Sequence, residues 1–177
     1  MNEKLTELIN RLPDPDESGF MSKIDKQVAD EVVAGILAGG AENVEAVVGA
    51  LKPPAEGDDY KAHYALHCVA ITVGKDRDEE RQMVAATLAK CLDQDLPKGV
   101  KAYLLQELRM VATAAEAETL GKFLCDEELC EPAAAALMAI RRSAREQLEK
   151  ALPNAGPKCK ATIEQNLAIA QQRRGRQ

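Results

Sequence analysis

The sequence predicts an all-α protein built from stacked pairs of antiparallel helices, and three observations lead to this fold class. Aromatic residues make up only 3% of the 177 residues and Trp is absent, whereas 46% of the residues are hydrophobic. The core must therefore consist of Ala, Leu, Val, Ile and Met, most of which are strong helix formers. Apolar residues also recur at helical spacing almost throughout, and a short leucine-rich frame occurs three times.

Ten helices follow in order, and proline, glycine or a capping residue marks most of their ends. Pro53 stops the third helix, Gly74 is expected to end the fourth, and Asp126 is expected to cap the start of the eighth. The predicted helices span residues 5–12, 22–38, 42–51, 58–73, 78–92, 97–111, 115–124, 126–140, 143–152 and 157 onward. The connections between them are short, so neighbouring helices must lie antiparallel.

The leucine-rich frame indicates that the helices form repeated pairs. It reads LAKCL at 88–92, LGKFL at 120–124 and LEKAL at 148–152. Aligned on their final leucines together with Leu51, the frames recur at intervals of 41, 32 and 28 residues. Each unit is one helix, a turn, a second helix and another turn. Neither helix can bury its apolar stripe alone, so we expect successive units to stack and share one core.

The stretch LGKFLCDEELCEPAAAALMAI at 120–140 resembles the consensus of HEAT repeats, especially the short bacterial type called phycobilisome-lyase HEAT-like repeats. The similarity is best over 115–152, fair over 77–114 and 153–170, and weak before 58, and Cys130-Glu131 stands where family units often carry Val-Arg. The resemblance implies a right-handed α-solenoid of about four stacked antiparallel helix pairs, with a closed helical bundle as the alternative. It implies no active site, because the repeat is a scaffold with many uses.

The chain divides into an N-terminal helix and linker at 1–21, the HEAT-like repeat domain at 22–171 and a basic tail at 172–177. Net charge is −6 and changes from −7 over 1–62 to −2 over 63–126 and +3 over 127–177. The acidic balance argues against a nucleic-acid partner. Five cysteines, an odd number and mostly within apolar helices, favour free thiols in the cytoplasm. No run of about 18 apolar residues predicts a membrane span.

No motif predicts a catalytic residue, a cofactor or a metal ion. His63 and His67 share one face of the fourth helix, as a metal site needs, but Tyr64 stands where metalloproteases of this spacing carry Glu. We expect one histidine at the helix surface and the other against a neighbouring helix. Cys125 and Cys130 form a single loose pair, whereas zinc ribbons need two tight pairs, and no glycine-rich phosphate loop occurs.

Two recurring sets of cations are the candidate partner-binding residues. Each leucine frame carries a lysine that points away from the core, on the helices that line the concave face of HEAT arrays, and arginines recur where successive first helices end. Local explanations compete, because Glu118 precedes Lys122 by four residues and cations offset the dipole at helix ends. The lysine ladder comprises Lys90, Lys122 and Lys150, and the arginine edge comprises Arg109, Arg141, Arg142 and Arg145.

A ladder of equivalent surface positions without a convergent polar pocket predicts a non-enzymatic protein–protein interaction module. Such a scaffold would present a curved groove to a protein or peptide partner. Self-association through an uncapped end is a further expectation, if the chain is a fragment of a longer repeat protein. The alternative is an enzyme or enzyme-accessory protein of the lyase or DNA-repair type. That alternative needs buried acidic and aromatic residues in the groove, for which Tyr103, Glu107 and Glu116 are the candidates.

Overall fold

The computed structural model describes residues 2–15, 24–53, 56–57, 59–141 and 143–174. Within these ranges the chain forms ten α-helices and two 3-10 helices and has no strand, which confirms the all-α fold class. The α-helices are α1 (Glu3–Asn10), α2 (Lys26–Ala38), α3 (Gly40–Val48), α4 (Tyr60–Asp76), α5 (Asp78–Leu92), α6 (Lys98–Val111), α7 (Ala117–Gly121), α8 (Cys130–Ile140), α9 (Ala144–Ala151) and α10 (Pro157–Arg174). The 3-10 helices are Ala114–Glu116 and Leu152–Asn154. None of the described helices combines the length and apolar character needed to cross a membrane.

The helices contact one another in two series. In the first series, α2, α4, α6, α8 and α10 each pack against the next member. In the second series, α3 packs against α5, α5 against the 3-10 turn that leads into α7, and α7 against α9. Contacts between α2 and α3, α4 and α5, α7 and α8, and α9 and α10 join the two series, and α1 packs on α2 and α4.

The buried core consists mainly of leucine, valine and alanine, as the composition predicts. The first leucine of each frame, Leu88, Leu120 and Leu148, is fully buried. The frame therefore recurs because these positions fill the space between helices, where loss of even one methylene group is costly. In α8, Ala133 and Ala134 are fully buried against the core. Their small side chains let the backbones of α6 and α8 approach closely.

The prediction that Gly74 ends the fourth helix is wrong, because α4 continues to Asp76. A Cβ atom at Gly74 would lie 3.1 Å from the carbonyl oxygen of Met110, near the end of α6. The position thus lacks a side chain because two helices meet there, and this role of glycine cannot be distinguished from a helix stop by local sequence.

The eighth helix also begins later than predicted. Asp126 does not cap it; its Oδ1 accepts a hydrogen bond from the backbone N–H of Glu128 at 2.9 Å and stabilises an intervening turn. The helix α8 begins at Cys130. This start places Pro132 in the first turn, where its missing N–H costs nothing, whereas a helix capped by Asp126 would hold that proline in its interior.

The seventh helix is shorter than the predicted range 115–124. A 3-10 turn at Ala114–Glu116 precedes α7, and residues 122–125 form a turn after it. Thr113 begins this segment with a capping box, in which its Oγ1 accepts from Ala115 N–H and Glu116 Oε2 accepts from Thr113 N–H at 2.7 Å. Glu116 is therefore buried as a structural cap.

Candidate functional site

Two lysines of the ladder form ion pairs with the preceding helix of the second series. Lys90 Nζ lies 2.7 Å from Glu45 Oε1 on α3, and Lys122 Nζ lies 3.0 Å from Asp93 Oδ1 at the end of α5. Both ammonium groups are exposed, so these ion pairs contribute little to stability. The predicted local pairing of Glu118 with Lys122 does not form within the described residues. Each of these two lysines is bonded instead to the preceding helix of its own series.

An open pocket lies between α7 and α9 and brings two ladder lysines together. Its volume is about 260 Å³. Cys125 is exposed at its wall, and its thiol donates to the backbone carbonyl of Ala151 at 3.6 Å. The lining residues are Glu118, Gly121, Lys122, Cys125, Gln147, Lys150, Ala151 and Asn154. Both signs of charge line the pocket, so it suits a polar side chain better than a strongly charged ligand.

The arginine edge is less regular than the sequence suggests. Arg109 is exposed near the end of α6, and Arg141 follows α8 with a φ of +66°, which L residues rarely adopt. Arg145 Nε lies 2.6 Å from Glu149 Oε1 within α9. Arg142 lies outside the described residues. Arg109 and Arg141 thus lie at the ends of two neighbouring helices of the first series, as predicted. Arg145 instead forms a local ion pair.

Arg109 and Lys90 lie toward opposite ends of α5. At the start of α5, Arg81 Nε donates to the carbonyl of Val111 at 2.9 Å, just beyond Arg109. Lys90 lies nine residues further along the same helix, which corresponds to a rise of about 13 Å. Arg109 and Lys90 are therefore well separated, whereas Arg145 and Lys150 lie five residues apart on α9. Their roles in partner binding stay predictions.

A polar cluster that the sequence analysis did not assemble lies between α4 and α6. His67 Nδ1 is 3.1 and 3.2 Å from the two carboxylate oxygens of Glu107. Glu107 is only 3% exposed, whereas the side chain of His67 is 45% exposed. The hydroxyl of Tyr103 donates to the backbone carbonyl of His63 at 2.6 Å, and the two rings meet edge to face with centroids 4.3 Å apart.

A sequence signal for this cluster existed. His63 and His67 are four residues apart on α4, and Tyr103 and Glu107 are four residues apart on α6. Each pair therefore forms one polar face on its helix, and α4 and α6 pack against each other. Matching such faces between consecutive units would have paired His63 with Tyr103 and His67 with Glu107.

The pKa values of several groups in this cluster are raised, but its buried polar atoms all have hydrogen-bond partners. Burial raises the pKa of Glu107, and the neighbouring His67 opposes the change. Burial, followed by the charge of Glu107, raises the pKa of Tyr103 far above its usual value. Burial also raises the pKa of Tyr64 to about 12 and that of the Cys68 thiol. Among the described residues, every buried side-chain nitrogen and oxygen has a hydrogen-bond partner. Tyr103 and Cys68 thus stay protonated near neutral pH and are poor nucleophiles.

The buried thiols of Cys91 and Cys159 are also poor nucleophiles. Burial raises the pKa of Cys91 to about 11, and burial together with neighbouring Cys130 raises the pKa of Cys159 to about 11. No group of three or more His, Cys, Asp or Glu side chains in the described ranges is positioned to hold a metal ion. Cys125 and Cys130 are free in this structure.

Comparison with known proteins gives no assignment. No family model matches the sequence, and no curated protein matches it significantly.

Proposed function

We propose that the chain is a right-handed α-solenoid of about four HEAT-like helix pairs and acts as a non-enzymatic scaffold for a protein or peptide. The order of the helix contacts supports the array. The helices α2, α4, α6, α8 and α10 contact one another in succession, and the main contacts of α2 and α10 are with their near neighbours along the chain. A closed bundle would instead bring its first and last helices together.

The observation that carries the scaffold function is the position of the lysine ladder. Lys90 and Lys150 lie on α5 and α9, Lys122 directly follows α7, and all three side chains are exposed. Repeat arrays bind extended partners along such rows of equivalent positions. The pairing of Lys90 with Glu45 and of Lys122 with Asp93 is solvent-exposed, so a carboxylate of the partner can replace the internal acid at little cost.

The open pocket between α7 and α9 supplies one contact point of this surface. Lys122 and Lys150 line it, together with the uncharged amides of Gln147 and Asn154. An amide or hydroxyl side chain of an extended partner peptide would find both ammonium and amide donors there. The remainder of the second series would then provide weaker contacts along the peptide.

The test is capture of partners from native extract by matched variants. We expect the triple variant Lys90→Gln, Lys122→Gln, Lys150→Gln to lose proteins that the wild type retains in quantitative mass spectrometry. The control triple variant Lys4→Gln, Lys26→Gln, Lys160→Gln removes the same charge from exposed sites on α1, α2 and α10, and it should retain them. Equal capture by both variants would refute a role for the ladder, and absence of any retained protein would count against the scaffold itself.

The enzymatic alternative is favoured by one observation, the buried carboxylate of Glu107 beside Tyr103 and the half-exposed His67. These residues belong to α4 and α6 of the first series, whereas the groove of a HEAT-like array is lined by second helices. A DNA-repair activity would appear as base release from alkylated duplex DNA. The variant Glu107→Gln should abolish that release if the cluster performs the reaction.

A further inference from the structure

We propose that His63 and His67 form a surface site for a divalent transition-metal ion of the imidazole-preferring class, such as Ni²⁺, Cu²⁺ or Zn²⁺. This site is independent of the lysine ladder. The two histidines are one helical turn apart on α4, so both side chains are on one face of a rigid helix. Two histidines at this spacing can bind one metal ion. The side chains are 26% and 45% exposed, which leaves the ion a path from solvent.

The hydrogen bonds of both rings define which nitrogen is available. His63 Nδ1 lies 2.9 Å from Asp59 Oδ2, and His67 Nδ1 lies 3.1 Å from Glu107 Oε1. A ring whose Nδ1–H donates to a carboxylate keeps the lone pair of Nε2 free for a metal. A carboxylate behind each imidazole is also the usual second partner of metal-binding histidines, because it fixes the ring and makes it a stronger donor.

The surroundings hold both rings in place before any ion arrives. Glu107 is buried, so its carboxylate is a fixed partner for His67. Tyr103 packs edge to face on the ring of His63 and bonds to the backbone carbonyl of the same residue. Such preorganisation reduces the ordering that binding would otherwise require.

The ion would keep open coordination positions, because the described residues provide no third His, Cys, Asp or Glu ligand at this site. Water or a ligand from outside the chain would complete its coordination. Imidazole ligands favour Ni²⁺, Cu²⁺ and Zn²⁺, whereas Mg²⁺ and Ca²⁺ prefer carboxylate, carbonyl and water oxygens. We therefore expect selectivity against Mg²⁺.

Isothermal titration calorimetry of the full chain with Ni²⁺ tests the proposal. We expect saturable binding of one ion per chain, no response to Mg²⁺, and loss of at least tenfold in affinity for His63→Gln or His67→Gln, each of which keeps a hydrogen-bond donor. Cys125→Ser removes an exposed thiol and should leave the affinity unchanged. Absence of saturable uptake, or uptake that only Cys125→Ser removes, would overturn the site.

Asp59 and Glu107 position the two histidine rings. Measuring Ni²⁺ affinity together with folding separates this role from an effect on stability. Asp59→Asn and Glu107→Gln should each lower Ni²⁺ affinity roughly 10- to 100-fold, as loss of an outer partner does in known metal sites. The Cu²⁺-loaded wild type should show two nitrogen ligands by electron paramagnetic resonance. Affinity unchanged in both variants, with both folded by circular dichroism, would contradict the role of the carboxylates, and fewer than two nitrogen ligands would contradict the site.

Discussion

Replacement of Gly74 by alanine probes the closest approach between α4 and α6. In an ordinary helix interior this change would stabilise the fold by about 1 kcal/mol, because glycine is the poorer helix former. Here the new methyl carbon would lie 3.1 Å from the carbonyl oxygen of Met110, a few tenths of an ångström closer than an ordinary contact. The oxygen belongs to a fixed segment, since Arg81 bonds the carbonyls of Val111 and Ala112 just after it. Overpacking of this kind costs about 1–3 kcal/mol.

The expected net effect of Gly74→Ala is a loss of about 1 kcal/mol in the free energy of unfolding, the overpacking cost less the helix-propensity gain. For a chain of this size that corresponds to a fall of about 3 °C in Tm, measurable by urea titration and thermal melting. The matched control is Gly49→Ala, where the added Cβ would lie 3.5 Å from the nearest atom, Glu45 O, and the backbone is already α-helical. This control should gain about 0.5 kcal/mol. If Gly74→Ala is as stabilising as Gly49→Ala, α4 and α6 are not in contact at this point.

Three further predictions concern contacts between and within the helices. Arg81→Met removes two charge-assisted hydrogen bonds to the end of α6 and should lower the unfolding free energy by about 2 kcal/mol. Its control, Arg77→Met, removes only an exposed ion pair with Glu80 and should change the unfolding free energy by less than about 0.5 kcal/mol. Equal effects of the two variants in urea titrations would contradict this difference. Thr113→Ala breaks the capping box before α7 and should cost about 1 kcal/mol, and a Tm equal to that of wild type would show that the cap is dispensable. Burial pushes the pKa of Asp126 up, but Lys98 and backbone N–H groups outweigh it and hold that pKa below its usual value. The contribution of Asp126 is therefore present above the unfolded pKa of about 4 and is lost as pH falls through the lower folded pKa. Lys98→Met should destabilise the chain at pH 7 and lose its effect progressively below about pH 4, and a Tm difference that does not change with pH would argue against the ion pair.

Local sequence predicts those helices whose ends depend on local chemistry. The helix α5 has the predicted bounds Asp78–Leu92, because three acidic residues favour its start and the buried leucine frame extends to its end. The error at Gly74 arose because its neighbour, Met110, is 36 residues away in sequence and belongs to another helix. The late start of α8 agrees with Pro132, a constraint that was present in the sequence and would have moved the predicted start to within one turn of that proline.

The candidate sites show the same contrast between local sequence signals and tertiary contacts. Repetition revealed the slots of Lys90 and Lys122, but their acidic partners, Glu45 and Asp93, lie on other helices and have no fixed spacing from the frame. The pairing of His67 with Glu107 likewise depends on how α4 packs against α6, over a separation of 40 residues. Sequence periodicity identifies which face of a helix is polar, whereas tertiary packing decides which two polar faces meet.

The helix contacts also bear on how the chain acquires its structure. Every main contact joins helices no more than three places apart in chain order, so the separation in sequence between contacting residues stays small. Chains with such local contacts collapse into their native arrangement quickly, because little loop entropy is lost before each contact forms. We expect the amino-terminal helices to be protected from proteolysis on the ribosome before the last ones are synthesised. Nascent chains long enough for α1 to α5 to have left the ribosome should therefore already resist digestion through α5.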